Sequence, residues 1–325
     1  MFKKLLSGLG VTIILVVAAM FYHQPSSNIP VVAIANYGPH ASLDQAILGM
    51  QSALEANGFK SGENVKYVLK DVGFDSALIP QMISSLKIQQ PKVLVALTTP
   101  VALVAKNRIK DIPVLYSVIT DPVDAGLLKE ANQVSKQVTG SSDQQDLNAF
   151  LDFAVKMLPK AKRVGMLYAT AEKNDVALLK RMTAAAQSKH MTLVAYPVDQ
   201  ARDVPLRMQQ FKHQVDFIYV GASGPIQPTL PVISKIANDH HIPLFNVEPQ
   251  AVKDGLVMAS FGVDYFAVGQ KTGQMLANYL KGQPLSNQLP SYPTAKDHHA
   301  VINVKIAESF GAYIPANSEL VGDSI

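Results

Sequence analysis

Short β-branched runs alternate with amphipathic stretches from Val31 to about Ser141, and the same alternation restarts near Asp143. Short apolar runs bounded by polar turns read as buried strands, and 3.6-residue periodicity between them reads as helices. In the first half this pattern predicts strands at Val31–Ala35, Val65–Leu69, Val93–Leu97 and Pro113–Ile119, with a helix at Ser76–Gln89. Ser42 with Gln45 reads as a capping box opening a helix that ends at Gly58. Thr99 and Pro100 read as the cap and first position of another. The second half predicts helices at Gln144–Leu158, Asn174–Lys189, around Val204–His213, at Thr229–His240 and at Tyr265–Lys281. Its predicted strands are Arg163–Tyr168, Thr192–Val198, Asp216–Val220, Pro243–Asn246, Leu256–Phe261 and Ala300–Val304.

Strand–helix alternation at this spacing implies parallel sheets with helices on both faces. Two such units in tandem predict an α/β protein of two lobes with a cleft between them, an arrangement suited to capturing a small molecule. The 325 residues, 48% of them hydrophobic, suffice for two ordinary cores. Net charge is only +4, half of it from Lys3 and Lys4, and no basic stripe runs along the chain, which argues against nucleic acid as a partner. The absence of cysteine excludes disulfides, thiolate catalysis, Cys-ligated metals and a lipidated N-terminal cysteine. Residues 1–27 read as a leader with Lys3 and Lys4 as its basic region and Leu9–Phe21 as its apolar stretch. That stretch is short for a full membrane span. Cleavage after Ala19 and retention as an N-terminal membrane anchor both stay open, with 25–30 as a tether to the first strand.

In open parallel sheets, ligands bind beyond the carboxyl ends of the strands. The residues there are Asn36, Tyr37 and His40, then Thr98 and Thr99, then Thr120 and Asp121. The second half contributes Ala169–Asn174, Gly221, Ala222, Ser223, Glu248 and Asp264. This set is polar and hydroxyl-rich, with helix N-termini that accept carboxylates. Asp121, Glu248 or Asp264 could accept an ammonium group, and Asp264 is favoured because it sits between a strand and a long helix. Structural alternatives stand beside each role. Thr99, Asn174 and Asp264 would serve as plain helix caps, Asp121 as a turn residue before Pro122, and Tyr37 as loop packing. No phosphate loop, G-x-S-x-G elbow or metalloprotease helix is present, so neither an enzyme nor a cofactor is expected. The pairs His240-His241 and His298-His299 predict no metal site, because adjacent helical side chains point about 100° apart.

Three stretches carry a family resemblance: Pro39-His40-Ala41-Ser42-Leu43-Asp44, Thr98-Thr99-Pro100 and Thr120-Asp121-Pro122-Val123-Asp124-Ala125-Gly126-Leu127. Thr139-Gly140-Ser141-Ser142-Asp143, Ala259-Ser260-Phe261-Gly262-Val263-Asp264-Tyr265 and the helix running from Gly269 to Lys281 extend it. Together, over about residues 31–315, they resemble the ABC-transporter substrate-binding proteins of the tryptophan/tyrosine-binding type. The resemblance implies a type I periplasmic-binding fold with three crossovers, near Gly140–Asp143, Phe261–Tyr265 and Pro290–His298, and adds Ser142 to the ligand-binding candidates. Lobe 1 would span 30–141 plus 264–290, and lobe 2 142–262 plus 296–325. It further implies a periplasmic protein that captures an amino acid, an aromatic one among the candidates, by hinge closure. Its partners would be an ABC permease and its ATPase. The alternative is a ligand-binding sensor held at the membrane by its leader and reporting to a membrane partner.

Overall fold

The computed structural model describes residues 29–316 and 318–322, so the leader expected over residues 1–27 lies outside the described residues. β1 (Val31–Ala35), β3 (Val93–Leu97) and β4 (Val114–Ile119) are buried almost throughout, as their unbroken apolar runs require when both sheet faces are covered. With β2 (Lys66–Lys70) and β5 (Val138–Ser142) they form a parallel five-stranded sheet in the order β2-β1-β3-β4-β5. The second sheet contains β6 (Arg163–Ala169), β7 (Thr192–Val198), β8 (Phe217–Val220), β9 (Leu244–Asn246) and β10 (Ala259–Val263), followed by β11 (His298–Asn303) and β12 (Glu319–Val321). Its order is β12-β11-β10-β9-β8-β6-β7, and only the β10–β11 pair is antiparallel.

The repeated pattern in the sequence is thus a repeated topology. β1 lies between β2 and β3, and β6 lies between β7 and β8, so each sheet winds outward on both sides of its first strand. The point where the winding reverses leaves a crevice at the strands' carboxyl ends. The helices that matter for this crevice are α1 (Ala41–Ala56), α2 (Ile79–Lys87), α3 (Thr99–Arg108), α4 (Leu147–Met157) and α5 (Lys173–Ser188). After them come α6 (Val204–Gln209), α7 (Leu230–Asp239), α8 (Pro249–Lys253), α9 (Tyr265–Leu280) and α10 (Val304–Ser309). Late in the chain, α9 returns to the first sheet and packs against α1, backbone to backbone. A Cβ on Gly49 would overlap the Phe266 carbonyl, and one on Gly269 the Ala46 carbonyl.

Three passages between the sheets lie side by side. Ser142 N–H donates to Ser291 O (2.8 Å), and Ser291 N–H donates to Gly140 O (2.9 Å). His298 pins the third passage, its Nε2 accepting from Asp146 N–H (3.0 Å) and its ring stacking on Phe261 at 5.7 Å. His298 thus ties this passage to Asp146 and Phe261, and among the described residues no group of three or more candidate ligands could hold a metal.

Several local expectations are corrected. β5, a Val-Thr-Gly-Ser-Ser segment for which the pattern predicts no strand, is a fully buried strand. Its Ser141 hydroxyl is satisfied by Val268 O and Thr272 on α9, which a single-strand pattern cannot reveal. The strand expected at Ala300–Val304 begins at His298 and ends at Asn303, and the strand expected at Leu256–Phe261 is shifted to Ala259–Val263, in register with β11. The helix expected to run to His213 stops at Gln209, and α8, α10 and β12 are additional elements. The capping box at Ser42 does not form: the N-cap of α1 is His40, two residues earlier, and the Ser42 hydroxyl bonds His40 Nδ1 (2.8 Å).

Candidate ligand-binding cleft

Between the carboxyl ends of the two sheets lies a cavity lined by residues of both. Sheet one supplies Tyr37 and His40 after β1, the Thr98–Pro100 turn after β3, and Val118 and Thr120 at the end of β4, with Phe74 closing one side. Sheet two supplies Glu172 and Asn174 after β6, Ala222 to Gly224 and Gln227 after β8, and Glu248 after β9. Asp143 and Tyr265 enter from the interlobe passages.

The first wall presents hydroxyls at a helix start. Thr98 has φ +74° and Val118 φ +59°, conformations rarely adopted by β-branched residues and found where surrounding structure holds them for function. The Thr98 backbone is clamped by its N–H to Ser117 O (3.0 Å) and by Ala102 N–H to its carbonyl (3.0 Å). Thr98, not Thr99, occupies the cap position of α3, and neither hydroxyl caps it. Both Oγ1 atoms are buried with no hydrogen-bond partner among the described residues. Two free hydroxyls beside amides at a helix start are what a carboxylate needs.

The second wall is acidic. Asp143, Glu172 and Glu248 each bury one carboxyl oxygen that has no partner among the described residues. Burial pushes Asp143 up to about 6, opposed by its own backbone amide and by the Arg181 guanidinium. Burial pushes Glu248 up to about 7, opposed by Ser42 and reinforced by the Asp143 charge. Burial also raises Glu172, and the hydrogen bond from Tyr37 opposes it. Behind this wall Asp175, raised by burial to about 7, accepts from Ala169 N–H (2.6 Å), Ser223 Oγ (2.6 Å) and Asn174 Nδ2 (2.9 Å). Asp175 thereby fixes the orientation of Asn174 and Ser223, and leaves Asn174 Oδ1 unpartnered among the described residues.

Contacts across the cleft hold the lobes together. Tyr37 donates to Glu172 Oε1 (2.7 Å), its ring packs edge-on to Phe74 at 5.5 Å, and Gly224 has no room for a Cβ, which would stand 2.5 Å from the Tyr37 ring. At the mouth, Lys180 Nζ meets Asp124 at 3.1 Å, an exposed pair that contributes little. Tyr37→Phe leaves Glu172 Oε1 buried without a donor, which costs about 1–3 kcal/mol. Ligand affinity is expected to fall roughly tenfold, mostly through faster dissociation measurable by stopped-flow. An unchanged dissociation rate would remove Tyr37 from the closing contact.

Of the residues expected from the sequence, the structure brings Tyr37, His40, Thr98, Thr99, Thr120, Asn174, Ala222, Ser223 and Glu248 to the cavity. It does not bring Asn36, whose side chain serves its own loop through Gly38 O and Tyr37 N–H. Asp121 accepts from Val123 and Asp124 N–H in the following turn, and Ser142 donates to Ile119 O. Gly221 packs against Leu178. Asp264, the favoured ammonium acceptor, is the N-cap of α9, accepting from Phe266 N–H (2.8 Å) and Ala267 N–H (3.2 Å) at the surface. Asn174 is not the cap of α5 either, because that position belongs to Glu172. Glu172 reaches the cavity from within the expected Ala169–Asn174 segment, and Asp143, which directly follows a hydroxyl-rich segment in an interlobe passage, is the acid that reaches it from outside the expected set.

Residues 31–321 match the family profile described as ABC transporter substrate binding protein. A curated relative, the tyrosine-binding protein of Clostridioides difficile (strain R20291), is 29% identical over 256 residues, spanning 79% of this chain and 74% of that protein. A conserved domain protein of Vibrio cholerae superposes with a TM-score of 0.84 at 27% identity, covering 90% of this chain and 99% of that one. An ABC domain from Streptococcus pneumonia in complex with L-Trp has the same fold, with TM-score 0.84, 24% identity and the same coverage. A Clostridium difficile substrate binding protein with adhesive properties, in its ligand-free, open form, scores only 0.69 at 28% identity, covering 91% of this chain and 100% of that one. The lower score against an open form agrees with the interlobe contacts above: the lobes here are closed.

Proposed function

The chain belongs to the ABC transporter substrate-binding protein family, and from that premise we propose that it captures an aromatic amino acid outside the cytoplasm for an ABC permease and its ATPase. The observation that carries this reading is the pairing of two opposed walls, one of free threonine hydroxyls at a helix start and one of unpartnered carboxyl oxygens. A zwitterion satisfies both: its carboxylate takes the first and its ammonium, with three donors, the second. Tyr37 and Phe74 provide aromatic surface for its side chain, and the similarity to a tyrosine-binding protein supports the same class. Capture proceeds by hinge closure, since contacts to both walls exist together only when the lobes meet. Among the described residues no helix is long and apolar enough to cross a membrane.

Calorimetry with L-tyrosine, L-tryptophan and L-phenylalanine tests the reading, with N-acetyl-L-tyrosine as the control that lacks an ammonium. Equal affinity for the acetylated compound would remove the acidic wall from recognition. Thr99→Ala tests the opposite wall. Since the hydroxyl caps nothing, its removal is expected to leave thermal stability nearly unchanged, in contrast to the loss of about 1 kcal/mol for a capping residue. Affinity for the amino acid is expected to fall by roughly one order of magnitude, the worth of one hydrogen bond to a charged group.

A further inference from the structure

At one end of the cleft the side-chain hydrogen-bond donors are all used up, while two acceptors are not. This end is formed by the residues that follow β6 and β8, with Tyr37 and Phe74 opposite them. The Tyr37 hydroxyl donates to Glu172 Oε1 (2.7 Å). Asn174 Nδ2 donates to Asp175 Oδ1 (2.9 Å) and Ala222 O (3.4 Å), and Ser223 Oγ donates to Asp175 Oδ2 (2.6 Å). Gln227 Nε2 donates to Gly221 O (3.0 Å) and Asn246 Oδ1 (3.4 Å). Glu172 Oε2 and Asn174 Oδ1 remain, both buried and both without a partner among the described residues. Each of these two residues is only 8% exposed, so bulk water does not serve them.

Asp175 decides which end of the Asn174 amide faces the cleft. Its two oxygens accept from Ala169 N–H, Ser223 and Asn174, so the amide nitrogen of Asn174 turns toward it and the amide oxygen turns away. The ligand ammonium has its place elsewhere, at Glu248 after β9 and at Asp143, which meets Tyr265. Glu172 follows β6, and β8 stands between β6 and β9. At the usual strand spacing, the ends of β6 and β9 are about 10 Å apart. An ammonium held by Asp143 and Glu248 therefore leaves the Glu172 end to the ligand's side chain, beside the Tyr37 and Phe74 rings. Resting on the aromatic amino-acid reading above, we infer that Glu172 and Asn174 determine specificity by accepting a hydrogen bond from that side chain. The cleft then takes a phenol O–H or an indole N–H and discriminates against phenylalanine. A bare phenyl ring would bury both oxygens with nothing to pair them, and a site built to pair a side-chain donor rejects the analogue lacking it.

Calorimetry of the wild-type protein with ligands of one shape reads this directly. L-tyrosine and para-amino-L-phenylalanine carry a donor at the far end of the ring, whereas para-fluoro-L-phenylalanine and L-phenylalanine do not. The first two should bind at least about tenfold more tightly than the last two. A smaller difference overturns the inference. Glu172→Gln separates the two natural donors. Tyr37 keeps donating to the retained amide oxygen, which places the new amide nitrogen where Oε2 stood. A phenol accepts as well as donates, but an indole N–H only donates. The variant should therefore lose at least about tenfold more affinity for L-tryptophan than for L-tyrosine.

Asn174→Leu keeps the bulk of the side chain and removes the acceptor. It should weaken L-tyrosine by at least about tenfold while leaving L-phenylalanine within about threefold of its wild-type affinity. An equal loss for every ligand in both variants would mean that the two residues only support the cleft, and would overturn the assignment. The wild-type ligand series decides the matter where a variant does not fold. Tight binding of both L-tyrosine and L-phenylalanine with equal affinity refutes the donor-reading role and leaves the aromatic amino-acid reading standing. Preference for L-lysine over L-tyrosine, or no binding of any amino acid, refutes that reading and this inference with it.

Discussion

Replacing Gly269 with valine is expected to unfold the first lobe at temperatures where the wild type is intact. Gly269 sits on α9 where that helix meets the backbone of α1, and a Cβ there would overlap the Ala46 carbonyl. The neighbour is main chain inside a helix, so no side chain can rotate away to make room. Gly49, at the reciprocal position on α1, has the same relation to the Phe266 carbonyl, so the helices cannot slide apart without losing both close approaches. Overpacking in a well-packed core costs about 1–3 kcal/mol, and a forced separation of two buried helices exceeds that range. Urea denaturation should show a loss of more than about 3 kcal/mol. Gln270→Val, one residue further on and exposed, carries only the helix-propensity cost of well under 1 kcal/mol. Similar midpoints for the two variants would mean that the α1–α9 contact yields more easily than its geometry implies.

The largest effect on binding is expected from Asp143→Asn. Asp143 enters the cavity from the passage between the lobes, faces Arg181 from behind, and presents a buried oxygen to the ligand space. Asparagine keeps the shape and removes the charge. The ligand ammonium then loses a charge-assisted partner, and Arg181 loses the anion it faces, at a combined cost of about 2–5 kcal/mol in binding. Affinity for L-tyrosine should fall by at least about thirtyfold, while discrimination against N-acetyl-L-tyrosine shrinks, because the acetylated compound never used that partner. Calorimetry on both ligands reads this directly. A variant that keeps its preference for the free amine would assign the ammonium to Glu172 instead.

The local pattern carried much of the architecture. β1, β3 and β4 are apolar enough to be read as buried strands without any knowledge of their neighbours, and the polar residues following them pointed to the cleft. Thr98, Thr99 and Tyr37 were legible for that reason: a parallel strand's carboxyl end is a predictable place. Their roles were less legible. Thr99, Asn174 and Ser42 carry the signature of helix caps, yet the three helices begin elsewhere and these side chains serve the cleft or its support. A capping side chain and a ligand-binding side chain have the same chemistry at the same place, and only the direction in which each points separates them.

Asp264 and Asp143 mark the boundary between the two kinds of information. Each is an acid in a passage between lobes. Asp264 turns back onto the amides of its own helix and stays at the surface, whereas Asp143 is buried beside Tyr265 and within reach of Glu248 and Arg181, residues distant from it in sequence. The sequence by itself determined two α/β units, the strands that end at the cleft and the polar character of their loops, because these depend on periodicity within a few residues. Only the tertiary structure decided that β5 is buried, that α9 returns to α1, and which acids meet one another. Those outcomes depend on close approach between segments more than a hundred residues apart, where a carbonyl against a glycine, or a hydroxyl meeting its acceptor on a distant helix, sets the energy.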